Sequence, residues 1–297
     1  MEQNTATETA GDNIQALKSQ IASLESELAA TKAQLQVQIP ASIAGTPSAP
    51  LHLWLLLADS ALPIGSFAFS SGLESYISHR SLRPVTTPKP SPRAELTRFL
   101  RLSLLSVSTT TIPFIAAAFR SPSSVLELDD TFDATTTCEV ARRASVSQGR
   151  ALCSVWDKSF ASSLLKVGSS SAASGDSDSG SDDDNIPIHH RPDHFGPAWG
   201  YITRLTGLGD TPEALHQVLF VFLFNHVKAL LSAAVRLSLI GPYVAQQILG
   251  SEEVGRLVCE AVERGRKVRV EEAGQCVPVL DLWQGRHERL YTRIFNS

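Results

Sequence analysis

The densest grouping of residues able to hold a metal is IPIHHRPDHF, residues 186–195, which carries His189, His190, Asp193 and His194. Imidazoles and a carboxylate suit nickel or zinc by ligand type. Pro187 and Pro192 interrupt the segment, and a serine–glycine–aspartate tract precedes it. A loop of that kind lacks the rigid surroundings that fix ligand geometry. Two readings stand, a loose metal site and a solvated loop. His226 lies in an apolar helical stretch and reads as a hydrogen-bonded core histidine. His216, ten positions earlier, does not share its helical face.

Other catalytic patterns do not occur. There is no GxxxxGK phosphate loop, no GxSxG elbow and no HExxH pair. Cys138, Cys153, Cys259 and Cys276 form no CxxC pair, which suits reduced thiols in the cytoplasm. MEQNTATETAGDN at the start is polar and acidic, unlike a secretory signal or a mitochondrial presequence. A net charge of −4 and a pI near 6.1 argue against a general nucleic-acid binder. The longest apolar run, Val218 to Phe224, falls well short of the ~20 residues that cross a bilayer. These features predict a soluble cytoplasmic protein that does not hydrolyse nucleotides itself and has no nucleic-acid or membrane partner.

The elements that would position any site are helical. Ile14, Leu17, Ile21, Leu24, Leu28, Thr31 and Leu35 alternate at spacings of three and four, as in a coiled-coil seam. A frayed single helix is the competing reading, because a lone helix of this length is marginal in water. This extension covers residues 1–40, and Pro-rich residues 41–50 form a linker. Residues 51–297 then read as one all-α helical bundle. It begins with LHLWLLLADSAL, expected to stop at Pro63, and a second helix follows over residues 70–80. A long amphipathic helix carries Leu96, Phe99, Leu100 and Leu104 and should kink or end at Pro113. Another covers residues 138–165 with Val140, Ala144, Ala151, Val155 and Phe160 inward. Residues 168–185 have almost nothing to bury and are expected to be a disordered acidic loop. The central helix should run from Glu213 to Ile240, capped by Asp210 or Thr211 and stopped by Gly241-Pro242. Its one polar stripe is Asn225, Lys228, Ser232 and Arg236. Helices near residues 252–263 and 280–291 complete the bundle.

The most distinctive stretch is ALPIGSFAFSSGLE, residues 61–74. Pro63 fixes one backbone angle just before Gly65 frees the next, and short residues surround Phe67 and Phe69. With no lysine and no paired carboxylate, it reads as a packed turn for structure and docking. Phe67, Phe69 and Leu73 read equally as core.

These residues resemble the signature of the UreF family of urease accessory proteins, an LP-[IV]-G-x-[FY] turn followed by G-L-E. Further landmarks follow in the family's order. EVARRASVSQGRAL (139–152) resembles its S-x-x-[LQ]-G-[RK] helix, and HFGPAWGYITRLTGLG (194–209) the stretch where a histidine precedes a glycine-rich turn. VFLFNHVKALLSAAVRLSLIGPYVAQQIL resembles the long helix ending in S-A-A-V-R-L. GRHERLYTRIFNS (285–297) resembles the C-terminal [ST]-R-[LI]-F-x-S strap.

The resemblance implies an all-helical, cofactor-free scaffold that forms a homodimer, binds UreD (also called UreH) and recruits the GTPase UreG. The assembly delivers nickel to apo-urease, with GTP bound by UreG. Carried over, the strap residues Tyr291, Arg293, Ile294, Phe295 and Ser297 would contact UreD, with Arg293 and Phe295 as anchors on a tail that orders on its partner. Asn296 stands where relatives often have arginine, so one interfacial cation is missing. Pro63, Gly65, Phe67, Phe69, Gly72, Glu74, Arg150 and Arg236 would lie at or near the UreG- and dimer-facing surface. Two other function classes remain open at this stage: a nickel metallochaperone using His189, His190 and His194, and a coiled-coil interaction module unrelated to urease.

Overall fold

The structure, a computed structural model, describes residue 20 and residues 49–79, 90–161 and 191–296. The heptad segment, most of the linker, the acidic tract, His189, His190 and Ser297 lie outside the described residues. The chain divides into two compact units, Met1–His52 and Leu53–Ser297. Among the described residues there are eleven α-helices and no strand, which makes the fold all-α.

In chain order the helices are α1 (Ala49–Leu57), α2 (Leu73–Ser78), α3 (Pro92–Thr110), α4 (Ile112–Arg120), α5 (Val125–Thr135) and α6 (Glu139–Val155). They continue with α7 (Phe195–Leu205), α8 (Pro212–Arg236), α9 (Pro242–Leu249), α10 (Glu252–Gly265) and α11 (Pro278–His287). Local chemistry explains most boundaries. Ser91 starts α3 by accepting the Ala94 N–H at 3.2 Å, with Pro92 in the first turn. The α3–α4 bend of 40° falls at Thr111, and Pro113 takes a first-turn position of α4, where no N–H is needed. Thr211 caps α8 through the Ala214 N–H at 3.1 Å.

The core is built around α4 and α8. On α4, Ile112, Phe114, Ile115 and Phe119 are completely enclosed. Full burial of such a side chain stabilises the fold by roughly 1.5–3 kcal/mol. Helix α7 packs closely on α4 because Gly200 has no side chain; a Cβ there would stand 2.3 Å from the Ile115 carbonyl oxygen. Helix α8 is long and apolar enough to cross a bilayer, yet Val218, Leu219, Leu223, Val227 and Leu230 are buried inside the protein.

Several boundaries differ from the sequence expectation. Helix α1 ends at Leu57, six residues before Pro63, where α8 side chains take over its last carbonyls. The Asn225 amide donates to Leu57 O at 2.8 Å and the Lys228 ammonium to Ala58 O. Helix α8 ends at Arg236, well before Gly241-Pro242. Ser238 adopts φ 56°, Leu239 N–H reaches Ala234 O, and Ser238 N–H reaches Val235 O. That is a Schellman closure with serine in the glycine position, so no glycine signalled it. Pro242 instead opens α9, a helix the reading missed, as it missed α5. Residues 195–205 are helical, and the glycine turn follows at Gly207 and Gly209. Helix α6 gives way at Trp156–Phe160 to one π-turn, and only Val140 of its five expected inward residues is fully buried.

Candidate functional site

Gly65 (φ 70°), Ser71 (φ 48°) and Gly72 (φ 84°) turn the backbone three times between Pro63 and α2. Only glycine adopts such angles without strain, and at Gly72 an added Cβ would also stand 3.1 Å from Gln284 Cγ on α11. The single 3₁₀ turn Ser66–Ala68 that results carries Phe67 outward, 66% exposed, while Phe69 is half-buried and Leu73 wholly buried. The sequence reading had Phe67 as core or contact residue. At 66% exposure Phe67 is not core, whereas Leu73 is.

The C-terminal strap lies across this turn. Glu74, at the start of α2, is buried, and its carboxylate accepts three hydrogen bonds from the far end of the chain. Ile294 N–H donates to Oε1 at 2.7 Å, Phe295 N–H to Oε2 at 3.1 Å, and His287 Nε2 lies 2.7 Å from Oε2. Asn296 N–H then reaches Ala68 O at 2.8 Å. Phe295 is 3% exposed, with the Arg236 guanidinium 4.3 Å from its ring centroid, a cation–π contact. The expected free tail is corrected on this point: Phe295 anchors the strap to its own fold. Tyr291, Arg293 and Ile294 remain exposed.

A second polar junction joins α5, α6 and α7. Gly149 lets the loop before α7 lie against α6; a Cβ there would be 2.2 Å from Asp193 O. Arg150 clamps the Asp193 carboxylate with two bonds, at 2.9 and 2.5 Å. The Asp129 carboxylate accepts Asp193 N–H and His194 N–H, both at 2.9 Å, and Ser145 Oγ accepts Phe195 N–H at 3.1 Å. The free amides at the start of α7 are thereby satisfied by side chains from two other helices. Burial pushes Asp129 above the usual carboxylate range against the pull of those amides. The Arg150 hydrogen bond holds Asp193 below it. Next to the junction, burial pushes the Cys153 thiol up to about 12, which makes it inert as a nucleophile.

His194, a proposed metal ligand, is 2% exposed and has both ring nitrogens engaged, Nδ1 with Ser145 Oγ at 3.1 Å and Nε2 with Asp133 Oδ1 at 2.9 Å. Among the described residues no three His, Cys, Asp or Glu side chains converge as a metal set. Ser145, His194 and Asp133 stand in the order of a charge relay. Here the hydroxyl and the ring act as ties between helices, because Ser145 Oγ already caps α7.

Between the turn and the junction is a cavity of about 290 Å³. Phe67 and Phe69, Ser145 and Gln148, and Asn225, His226 and Lys228 contribute to its walls. His226 is bonded to Ser103 Oγ at 2.7 Å, as expected of a core histidine, and burial lowers it to about 4, so it is neutral at physiological pH. A shallow groove beside the strap is bordered by Val140, Arg143, Ser147, Glu288, Arg293 and Ile294.

The structure thus brings Glu74, Phe69 and Arg236 together with the strap, while Gly65 and Gly72 shape the turn, Gly72 lying against Gln284 of α11. Arg150 sits apart, in the second junction, and Pro63 is exposed at the mouth of the turn. Asp129, Ser145 and His287 stand out only in three dimensions, because the groups they bond lie far along the chain: Asp129 with His194, Ser145 with Phe195 and His287 with Glu74.

Comparison with known proteins agrees with this architecture. The family model for UreF matches residues 91–251. A Schizosaccharomyces pombe protein described as an uncharacterized urease accessory protein UreF-like is 35% identical over 248 residues, covering 83% of this chain and 97% of its own. Urease accessory protein F of Arabidopsis thaliana is 32% identical over 248 residues, covering 82% and 91%. Urease accessory protein 6 of Cryptococcus neoformans is 27% identical over 319 residues, covering 84% and 98%.

Proposed function

Because the chain belongs to the UreF family, we propose that it serves urease maturation as a non-catalytic scaffold. In this reading it pairs with a second copy, binds a UreD-type protein through the strap, and recruits a UreG-type GTPase in the cytoplasm. Nickel is cargo of the assembly on its way to apo-urease, and GTP belongs to the partner.

The observation that carries the reading is the strap seated on the 61–74 turn. Two stretches at opposite ends of the domain, each devoid of a nucleophile–base pair, are joined by a buried carboxylate. Their exposed side chains include three large apolar ones, Phe67, Tyr291 and Ile294. Exposed aromatic and aliphatic groups on a rigid support are what a protein partner uses. The test is urease activity in cells lacking this chain, with nickel supplied. The expected result is apo-urease without activity, restored by re-expression. Full activity in its absence would end the proposal.

A further inference from the structure

The cavity of about 290 Å³ holds two opposite charges that do not meet. Lys228 of α8 and Asp281 of α11 both line it, and both are half-buried. They form no ion pair with each other, and neither has an ion-pair partner among the described residues. The Lys228 ammonium donates to Ala58 O alone, which leaves its other N–H groups open. One Asp281 oxygen accepts from Gln275 Nε2 at 2.8 Å, and the second is open. The other acid of the lining, Asp59, is exposed and already accepts Ala61 N–H. In the same walls the Gln284 carboxamide makes no hydrogen bond among the described residues, and Asn225, whose nitrogen is taken by Leu57 O, keeps its oxygen. Charged groups withdrawn from water are costly unless something answers them.

We propose that this cavity binds a small zwitterion, a free amino acid, with its carboxylate on Lys228 and its ammonium on Asp281. A molecule carrying both signs answers both walls at once, through charge-assisted hydrogen bonds that are about twice as strong as neutral ones. An ion of one sign would meet one wall and be repelled by the other. A hydrated metal cation is disfavoured for that reason, because the Lys228 ammonium opposes it. The Gln284 and Asn225 carboxamides supply further polar contacts, and the Phe195 and Phe222 rings border an apolar side chain. Size points the same way. The cavity stands at the lower end of the roughly 300–1,000 Å³ range of small-molecule sites, which suits an amino acid better than a nucleotide.

The test titrates the full-length protein by calorimetry with leucine and glutamine. Leucine amide, which lacks the carboxylate, and N-acetyl-leucine, which lacks the ammonium, are run beside them. Both amino acids are expected to bind with a Kd of about 1 mM or lower. Each analogue should bind about tenfold more weakly, the worth of one hydrogen bond to a charged group. Lys228→Met should erase the difference between leucine and leucine amide, and Asp281→Asn that between leucine and N-acetyl-leucine. The analogue comparison needs wild type alone, so it decides the matter even if Lys228→Met, which also loses its bond to Ala58 O, fails to fold. No saturable binding of either amino acid at about 10 mM overturns the proposal. Analogues that bind as well as leucine do the same. Nickel binding that strengthens in Lys228→Met, with both amino acids silent, would assign the cavity to cations and overturn it too. None of these outcomes touches the scaffold role, which rests on the strap.

Discussion

Glu74 and His287 lie 213 positions apart and meet at 2.7 Å in a site closed to solvent. His287 Nδ1 has no hydrogen-bond partner, so the proton belongs on Nε2, where it is donated to the carboxylate. The same carboxylate holds Ile294 and Phe295 by their amides. Glu74→Ala would strand all three donors, at a cost of about 3–5 kcal/mol. Glu74→Gln, which keeps the shape and one acceptor, should cost less than half of that. Denaturant unfolding measures the difference. Trypsin reads the local effect, because release of the strap exposes the bonds after Arg289 and Arg293. Equal cleavage rates in wild type and Glu74→Ala would show that the carboxylate does not hold the strap.

Gly149→Ala should be among the most damaging conservative changes in the chain. The added methyl would stand 2.2 Å from Asp193 O and 2.5 Å from the His194 carbonyl carbon, both backbone atoms with no rotamer to retreat into. The loop must lift from α6, loosening the Arg150–Asp193 clamp and the Asp129 contacts to the start of α7. Roughly 3 kcal/mol or more of stability should be lost. Faster amide exchange at Asp193 and His194 should accompany a lower Tm. Wild-type exchange there would mean the backbone approach is looser than described.

Much of this arrangement was legible in the residues. Capping Thr211 with Pro212 located the start of the central helix, Pro113 located a bend, and the glycines of the 61–74 stretch located the turn. The limits lay where one part of the chain answers to another far away. Nothing near Leu57 and Ala58 says that Asn225 and Lys228, 168 and 170 positions beyond them respectively, will close the helix. Ser238 ends α8 in a conformation usually given to glycine, so local propensity pointed several residues too far. For the strap, the pattern marked the segment but could not say that Phe295 faces inward. The polar stripe Asn225, Lys228 and Arg236 likewise had no visible purpose until α1 and Phe295 were placed against it.

Removing the strap should therefore do more than remove a contact surface. Deleting Tyr291–Ser297 takes away Phe295, leaves Arg236 without its ring and leaves Glu74 with only His287. Loss of a buried phenylalanine typically costs about 3–5 kcal/mol. We expect circular dichroism to stay largely helical, since the deleted residues contribute no α-helix, while Tm falls clearly. Phe295→Ala alone should reproduce most of that fall. Were its Tm within a degree or two of wild type, the tail would not be packed as described.

Acid should act first at His226. Its folded-state value is depressed to about 4 from 6.5 by burial, so the unfolded chain takes up a proton across that interval and the native protein does not. The stability contributed by keeping this ring neutral is complete above 6.5 and declines as pH falls toward 4. Asp193, also depressed, follows the same sign but acts only below its ordinary value of 3.8. Asp129 has the opposite sign: being raised, it favours the fold at low pH and loses that contribution as pH rises. A comparison with a His226→Gln variant, which can still bond Ser103, isolates the histidine. Because the ring borders the cavity and water can reach it, the loss between pH 6.5 and 4 should be on the order of 2 kcal/mol, below the full value of the shift. Urea unfolding at pH 7, 5.5 and 4.5 should show wild type and variant converging as the pH falls. A constant gap at all three would place the acid sensitivity elsewhere in the molecule.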